Sequence, residues 1–183
     1  GLGNLHEKAL RLEKLAIVLA PYVVGCDAQH AGRAGILAKA DLVTGMVGEF
    51  PELQGIVGGY YARHDGEEDS VASAIATHYR PQGPTDNVPE TPTAKAVALA
   101  DKIDTLVGFF GIGAKPTGSK DPFALRRAAL GMIRIILDAQ LSIPLAMVLQ
   151  QAAENYRFET VDEDTLPFIR DRLRVYLRDQ NMR

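Results

Sequence analysis

"GIGAKPTGSKDPFALRRAALG", Gly111–Gly131, decides the fold class. Gly113 and Gly118 stand at the spacing of a phosphate-binding loop, which would require a strand before it and an α/β sheet around it. Three features oppose that reading. Ser119 precedes Lys120, the reverse of the order such a loop needs. "IDTLVGFF" (103–110) continues a helical pattern rather than a strand. Asp121 stands before Pro122, so a carboxylate caps the helix end that a phosphate would otherwise occupy. The stretch is therefore a glycine-jointed connection into a basic helix running from Pro122 to about Gln140.

Outward from that loop the chain reads as helices throughout. Leu5, Ala9, Leu12, Ala16 and Leu19 recur at helical spacing, behind an Asn4 cap with Glu7 three residues on. A second helix is expected after Asp27, through "RAGILAKADLVTGMV". A third opens at Phe50-Pro51, and "SVASAIATHYR" forms a fourth. Four prolines between 81 and 92 make an extended connection, and Thr91-Pro92 caps a fifth helix, "TAKAVALADKIDTLVGFF". Two helices around "PLAMVLQQAAENY" and "TLPFIRDRLRVYLRDQ" follow, with Asp162, Glu163 and Asp164 between them. The expected class is all-α, a helical bundle over 1–141 followed by linker helices over 142–183.

The 183 residues are 46% hydrophobic, enough for a full core, and carry a net charge of −3, which disfavours a surface that coats nucleic acid generally and gives no sign of DNA binding. Cys26 is alone, which fits a reducing compartment, read here as the cytoplasm. No apolar run approaches a membrane span. The chain opens without methionine, and both ends read as cuts through a longer polypeptide. Nucleophilic chemistry finds no support, since Cys26 has no evident activating partner. Glu49 and Glu52 sit around a helix start, where a capping role is the simpler account.

Lys115, Lys120, Arg126, Arg127 and Arg134 face only Asp121 within their stretch. Two readings stay open. The cations form salt bridges at a domain surface, or they meet an RNA backbone or another subunit.

His6, a site near Ala38-Lys39, His78 and Asp101 fall where a metal-dependent phosphohydrolase of the HD kind would place its ligands, so the bundle resembles that fold. The central His-Asp pair is missing, and Lys39 stands in its place. An ammonium there repels a metal ion and can pair with Asp101 instead. His78 and Asp101 are then expected as a buried polar pair joining two helices. The only literal His-Asp, His64-Asp65, lies in a solvated turn.

Three stretches taken together, "AKADLVTGMVGEFPELQGIVGGYYA", "ADKIDTLVGFFGIG" and "KPTGSKDPFALRRAALGMIRI", resemble the β subunit of the bacterial-type, heterotetrameric glycyl-tRNA synthetases. The resemblance runs from about Lys39 to the end of the basic helix and continues loosely beyond. It implies an internal piece of a β chain whose HD-like domain lacks the metal quartet. It implies an α-subunit partner, tRNA-Gly as the RNA, and ATP and Mg bound by the α subunit, with no cofactor in this piece. It points to Lys115, Lys120, Arg126 and Arg127 as phosphate contacts, with at most one of the adjacent arginines facing RNA squarely. Gln54, Tyr60, Tyr61 and Arg63 are candidates for an unpaired acceptor end, against the simpler expectation of one tyrosine in the core and one at its rim. Arg170, Arg174 and Arg178 are read as a solvated face. The remaining alternatives are a working phosphohydrolase and a pure scaffold for the α subunit.

Overall fold

The computed structural model describes residues 1–181. No strand forms among them; the loop holds only an isolated bridge between Thr117 and Lys120. α1 (Leu5–Leu19) begins where the Asn4 side chain accepts the Glu7 N–H at 2.8 Å. α2 (Ala28–Leu37) begins where Asp27 accepts from Gln29 and His30, and α3 (Gly45–Glu49) is capped by Thr44. α4 (Ile56–His64) and α5 (Asp69–Thr77) make a hairpin. α6 (Pro92–Gly111) is capped by Thr91 and followed by α7 (Leu125–Asp138). α8 (Leu145–Asn155) and α9 (Thr165–Asn181) finish the described chain.

α6 is the axis of the bundle. Alanines, Leu99, Ile103, Leu106, Val107 and Phe110 are buried around it, and a helix apolar on nearly every side has to lie inside. α1, α5, α7 and α8 pack against it, and α2 packs on α1. Val148, Leu149, Ala152 and Ala153 of α8 and Ile169 of α9 belong to the same buried cluster as α1 and α6.

Three expected helices differ in detail. The second stops at Leu37, and a 3-10 turn (Ala40–Val43) and α3 replace its second half. The cause is Asp41, whose buried carboxylate accepts the N–H groups of Gly55 and Gly58 at 2.6 and 3.0 Å and draws the chain inward. Pro51 opens only a 3-10 turn (Pro51–Leu53). The helix proper waits for Gly55, whose φ of +83° is strained for any residue with a Cβ. The basic helix starts at Leu125 rather than Pro122. Asp121 still caps it, from outside, accepting the N–H groups of Leu125 and Arg126 at 2.8 and 2.9 Å. A carboxylate thus occupies the positive helix end, where a phosphate cradle would need it free.

α1 and α2 approach closely at Gly35, where an added Cβ would lie 2.8 Å from the Leu12 carbonyl oxygen and 3.1 Å from the Glu13 Cα. Backbone cannot swing aside as a flexible side chain can. Gly35→Ala should therefore lower stability, the overpacking penalty of about 1–3 kcal/mol outweighing the gain of about 1 kcal/mol in helix propensity. At Gly48 in α3 an added Cβ meets nothing, so Gly48→Ala should be neutral or stabilising by up to about 1 kcal/mol. Urea unfolding of both variants checks the pair of outcomes.

Candidate functional site

Two carboxylates one turn apart on α6 organise the interior. Asp104 is fully buried and accepts from Lys8 Nζ at 2.6 Å, Arg11 Nε at 2.9 Å and the Tyr156 hydroxyl at 2.9 Å. Asp101 faces Lys8 at 3.2 Å and Lys39 at 2.9 Å, so Lys8 bridges both acids. Arg11 also lies over the Tyr156 ring at 4.0 Å and Lys39 over the Tyr79 ring at 3.8 Å, placing aromatic faces against the cations. The pairing of Lys39 with Asp101 is the one expected from the sequence.

The charge states follow from this arrangement. Burial opposes the Asp101 carboxylate, yet Lys39 and Lys8 beside it hold its pKa well below the usual carboxylate range. Burial likewise opposes the Lys8 ammonium, but Asp101 and Asp104 together lift its pKa. Lys39, which shares Asp101 with Lys8, is pushed down by burial with only partial compensation. Lys102 donates to the carbonyls of His78 and Arg80 at 3.3 and 2.9 Å, and burial brings it down to about 8.

His78 and His6 depart from expectation. His78 makes no hydrogen bond to Asp101. Its Nδ1 lies 2.7 Å from the Ile75 carbonyl, which can only accept, so Nδ1 carries the proton. Nε2 is buried without a hydrogen-bond partner among the described residues, and burial together with Lys39 depresses the ring's pKa to about 3. His6 is solvent-exposed on α1, because the helical period turns Lys8 and Arg11, not residue 6, toward α6. No group of three or more His, Cys, Asp or Glu among the described residues is placed to hold a metal ion.

The second feature is the loop Ile112–Ala124 with α7. Lys115 does not face outward unpaired. It meets Asp162 at 2.9 Å and Asp164 at 2.8 Å from the segment before α9, which raise its pKa to about 12. The arginines behave differently. Arg126 donates to the Gly118 carbonyl at 2.6 Å, Arg127 to Gln82 at 3.3 Å, and Arg134 to Gly83 and Asp86 at 3.0 and 2.8 Å. These carbonyls fix the guanidinium groups without cancelling their charge. Lys120 is exposed at the loop tip.

The sequence profile of the family described as Glycyl-tRNA synthetase beta subunit matches residues 1–183. The chain belongs to the glycyl-tRNA synthetase beta subunit family. The glycine–tRNA ligase beta subunit of Phenylobacterium zucineum is 55% identical over 184 residues, covering 100% of this chain and 26% of the relative. The beta subunits of Pseudomonas putida (strain GB-1) and Acidithiobacillus ferrooxidans are 51% and 49% identical, covering 99% and 100% of this chain. Each is covered over 27% of its own length. The chain thus spans about a quarter of the length of these glycine–tRNA ligase beta subunits. No helix of the described residues is long and apolar enough to cross a membrane.

In this beta-subunit-family chain the remaining candidates lie on or just before α4 and on α9. Tyr60 and Tyr61 are both exposed, at 72% and 44%, so neither enters the core; Gly58, Gly59 and Ala62 face inward on α4 instead. Arg63 pairs with Asp69, and Gln54 ends the 3-10 turn half-buried. Arg170, Arg174 and Arg178 are exposed on α9, as expected. Sequence reasoning missed Lys8, Arg11, Asp104, Lys102 and Tyr156. A signal existed for three of them: Lys8 and Arg11 repeat the i, i+3 spacing of Asp101 and Asp104, so two helices carry complementary charges on matching faces.

Two outcomes follow for the network. Asp101→Asn leaves Lys8 and Lys39 with one buried carboxylate fewer and should lower stability by about 3–5 kcal/mol. Lys39→Met leaves Asp101 paired with Lys8 and should cost clearly less; urea unfolding of the two variants orders them. The second outcome concerns pH. Between about pH 6.5 and 3 the unfolded chain protonates His78 while the folded chain refuses the proton, so acidification lowers stability by up to about 1.4 kcal/mol per unit. Asp101, depressed in the fold, adds its loss only nearer pH 4 and below. His78→Leu should therefore show a flatter stability profile between pH 6.5 and 4.5, read from unfolding midpoints across that range.

Proposed function

We propose that this chain is the RNA-contacting, non-catalytic part of a glycine–tRNA ligase beta subunit, and that α7 carries the contact. The supporting observation is the set of three arginines, Arg126, Arg127 and Arg134, positioned by backbone carbonyls and paired with no carboxylate among the described residues. Guanidinium groups fixed in this way suit phosphate oxygens, which position an RNA without reading its bases. Lys120 extends the cationic surface at the loop tip, whereas Lys115 serves to tie the loop to the segment before α9.

In this reading the beta chain works with an α subunit in a heterotetramer in the cytoplasm. The assembly attaches glycine to tRNA-Gly at the expense of ATP, with ATP and Mg held by the α subunit. Lys39 beside Asp101 weighs against a metal-dependent phosphohydrolase. A second role, docking of the α subunit, is favoured by Val43, Met46, Phe50 and Ile56, large apolar side chains exposed along one limb at 79%, 45%, 46% and 48%.

The test measures tRNA-Gly affinity of the assembled enzyme across a salt series. Arg126→Gln with Arg127→Gln should weaken binding and make the slope of log affinity against log salt shallower by about 1–2, one unit for each phosphate that the variant no longer neutralises. Lys115→Ala should leave the slope unchanged. If the double variant keeps wild-type affinity and slope, the docking role stands in place of the RNA contact.

A further inference from the structure

α7, α9 and the segment Pro81–Pro84 enclose a cleft of about 540 Å³, well within the size range of small-ligand sites. Its walls carry Arg126, Arg127 and Arg134 from α7 and Arg172 from α9, and Tyr176 is the one aromatic ring lining it. Asp179, exposed on the last turns of α9, is the single carboxylate among the lining residues. Arg172 bonds Asp171 through one terminal nitrogen at 2.6 Å, while its Nε is buried and has no hydrogen-bond partner among the described residues. Four guanidinium groups lining one cleft, against a single carboxylate among its lining residues, favour an occupant that carries anionic acceptors.

The surroundings fix which way such an acceptor enters. Tyr176 and Arg134 are also walls of a second hollow, which carries Glu90 and Asp138 and so repels an anion. The anionic part of a ligand is thereby directed to the side of Arg127 and Arg172. Leu130 and Val175 also line the cleft and add apolar surface to it beside Tyr176.

We propose that this cleft holds one unpaired nucleotide of an RNA, its phosphate between Arg127 and Arg172 and its base against Tyr176. The proposal rests on the reading of the chain as RNA-contacting and adds to it a place where a base, and not only the backbone, is bound. Paired RNA cannot occupy the cleft, because its bases are stacked inside the helix; an unpaired base can be splayed onto an aromatic ring. Acidic peptide is the competing occupant, since it satisfies the arginines but makes no use of the ring.

The experiment uses the full-length beta chain assembled with its partner subunit. The probes are fluorescein-labelled tetra-adenylate RNA and an abasic RNA of the same length. The base-bearing probe should bind more tightly by about 5- to 100-fold, the range that stacking one base supplies. Tyr176→Leu should bring it to the abasic level, and Tyr176→Phe should preserve the preference. Independently of any variant, tetra-adenylate carrying 2-aminopurine at each position in turn should lose fluorescence on binding at one position at least. Equal binding of the two probes, or fluorescence unchanged at all four positions, overturns the proposal. So does displacement of the RNA by hexaglutamate at equal concentration, which assigns the cleft to acidic peptide. If the base preference is absent while Arg126→Gln with Arg127→Gln still weakens tRNA binding, only this subsite fails. If neither effect is present, the RNA-contacting reading fails with it.

Discussion

The bundle depends on neutralising two carboxylates inside its central helix. Asp101 and Asp104 project from α6, which is otherwise apolar on nearly every side, so each acid must find its counter-charge on a neighbouring element. α1 supplies Lys8 and Arg11, the chain just after α2 supplies Lys39, and Tyr156 at the end of α8 supplies a hydroxyl. The hydrophobic surfaces alone would let α1 slide or rotate against α6. The ion pairs, 93 residues apart in the case of Arg11 and Asp104, admit one register.

Lys39 reaches Asp101 from the chain just after α2. It balances Asp101 jointly with Lys8. Burial together with the nearby Lys39 keeps the His78 ring uncharged, protonated at Nδ1 toward Ile75. The lysines that hold these helices together belong to a buried structural centre, and the cationic surface that can meet a partner lies elsewhere.

That surface is built by division of labour among cations close in sequence. Lys115 is neutralised by Asp162 and Asp164 and anchors the loop to the start of α9. Arg126 holds the loop and Arg134 holds the chain at Gly83–Asp86 through carbonyls, which orient the guanidinium groups without discharging them. An anchored loop and a docked α9 are what give α7 a facing wall.

The amino-acid sequence by itself determined the all-α class, most helix starts, the family and the pairing of Lys39 with Asp101. Caps such as Asn4, Asp27 and Thr91 act within three residues, and helical periodicity repeats within four, so both are written in short stretches of chain. Even the Asp121 cap was legible, although the helix begins three residues later than proline at 122 suggested. Only the tertiary structure decided that Lys115 is paired, that Tyr60 and Tyr61 are both outside the core, and that Lys8 rather than His6 faces Asp101. It alone brought Tyr176 and Arg172 to Arg127. The partners of Lys115 and Arg134 lie 49 and about 50 residues away, and which of several cations meets them is set by how helices pack, an outcome that no local pattern carries.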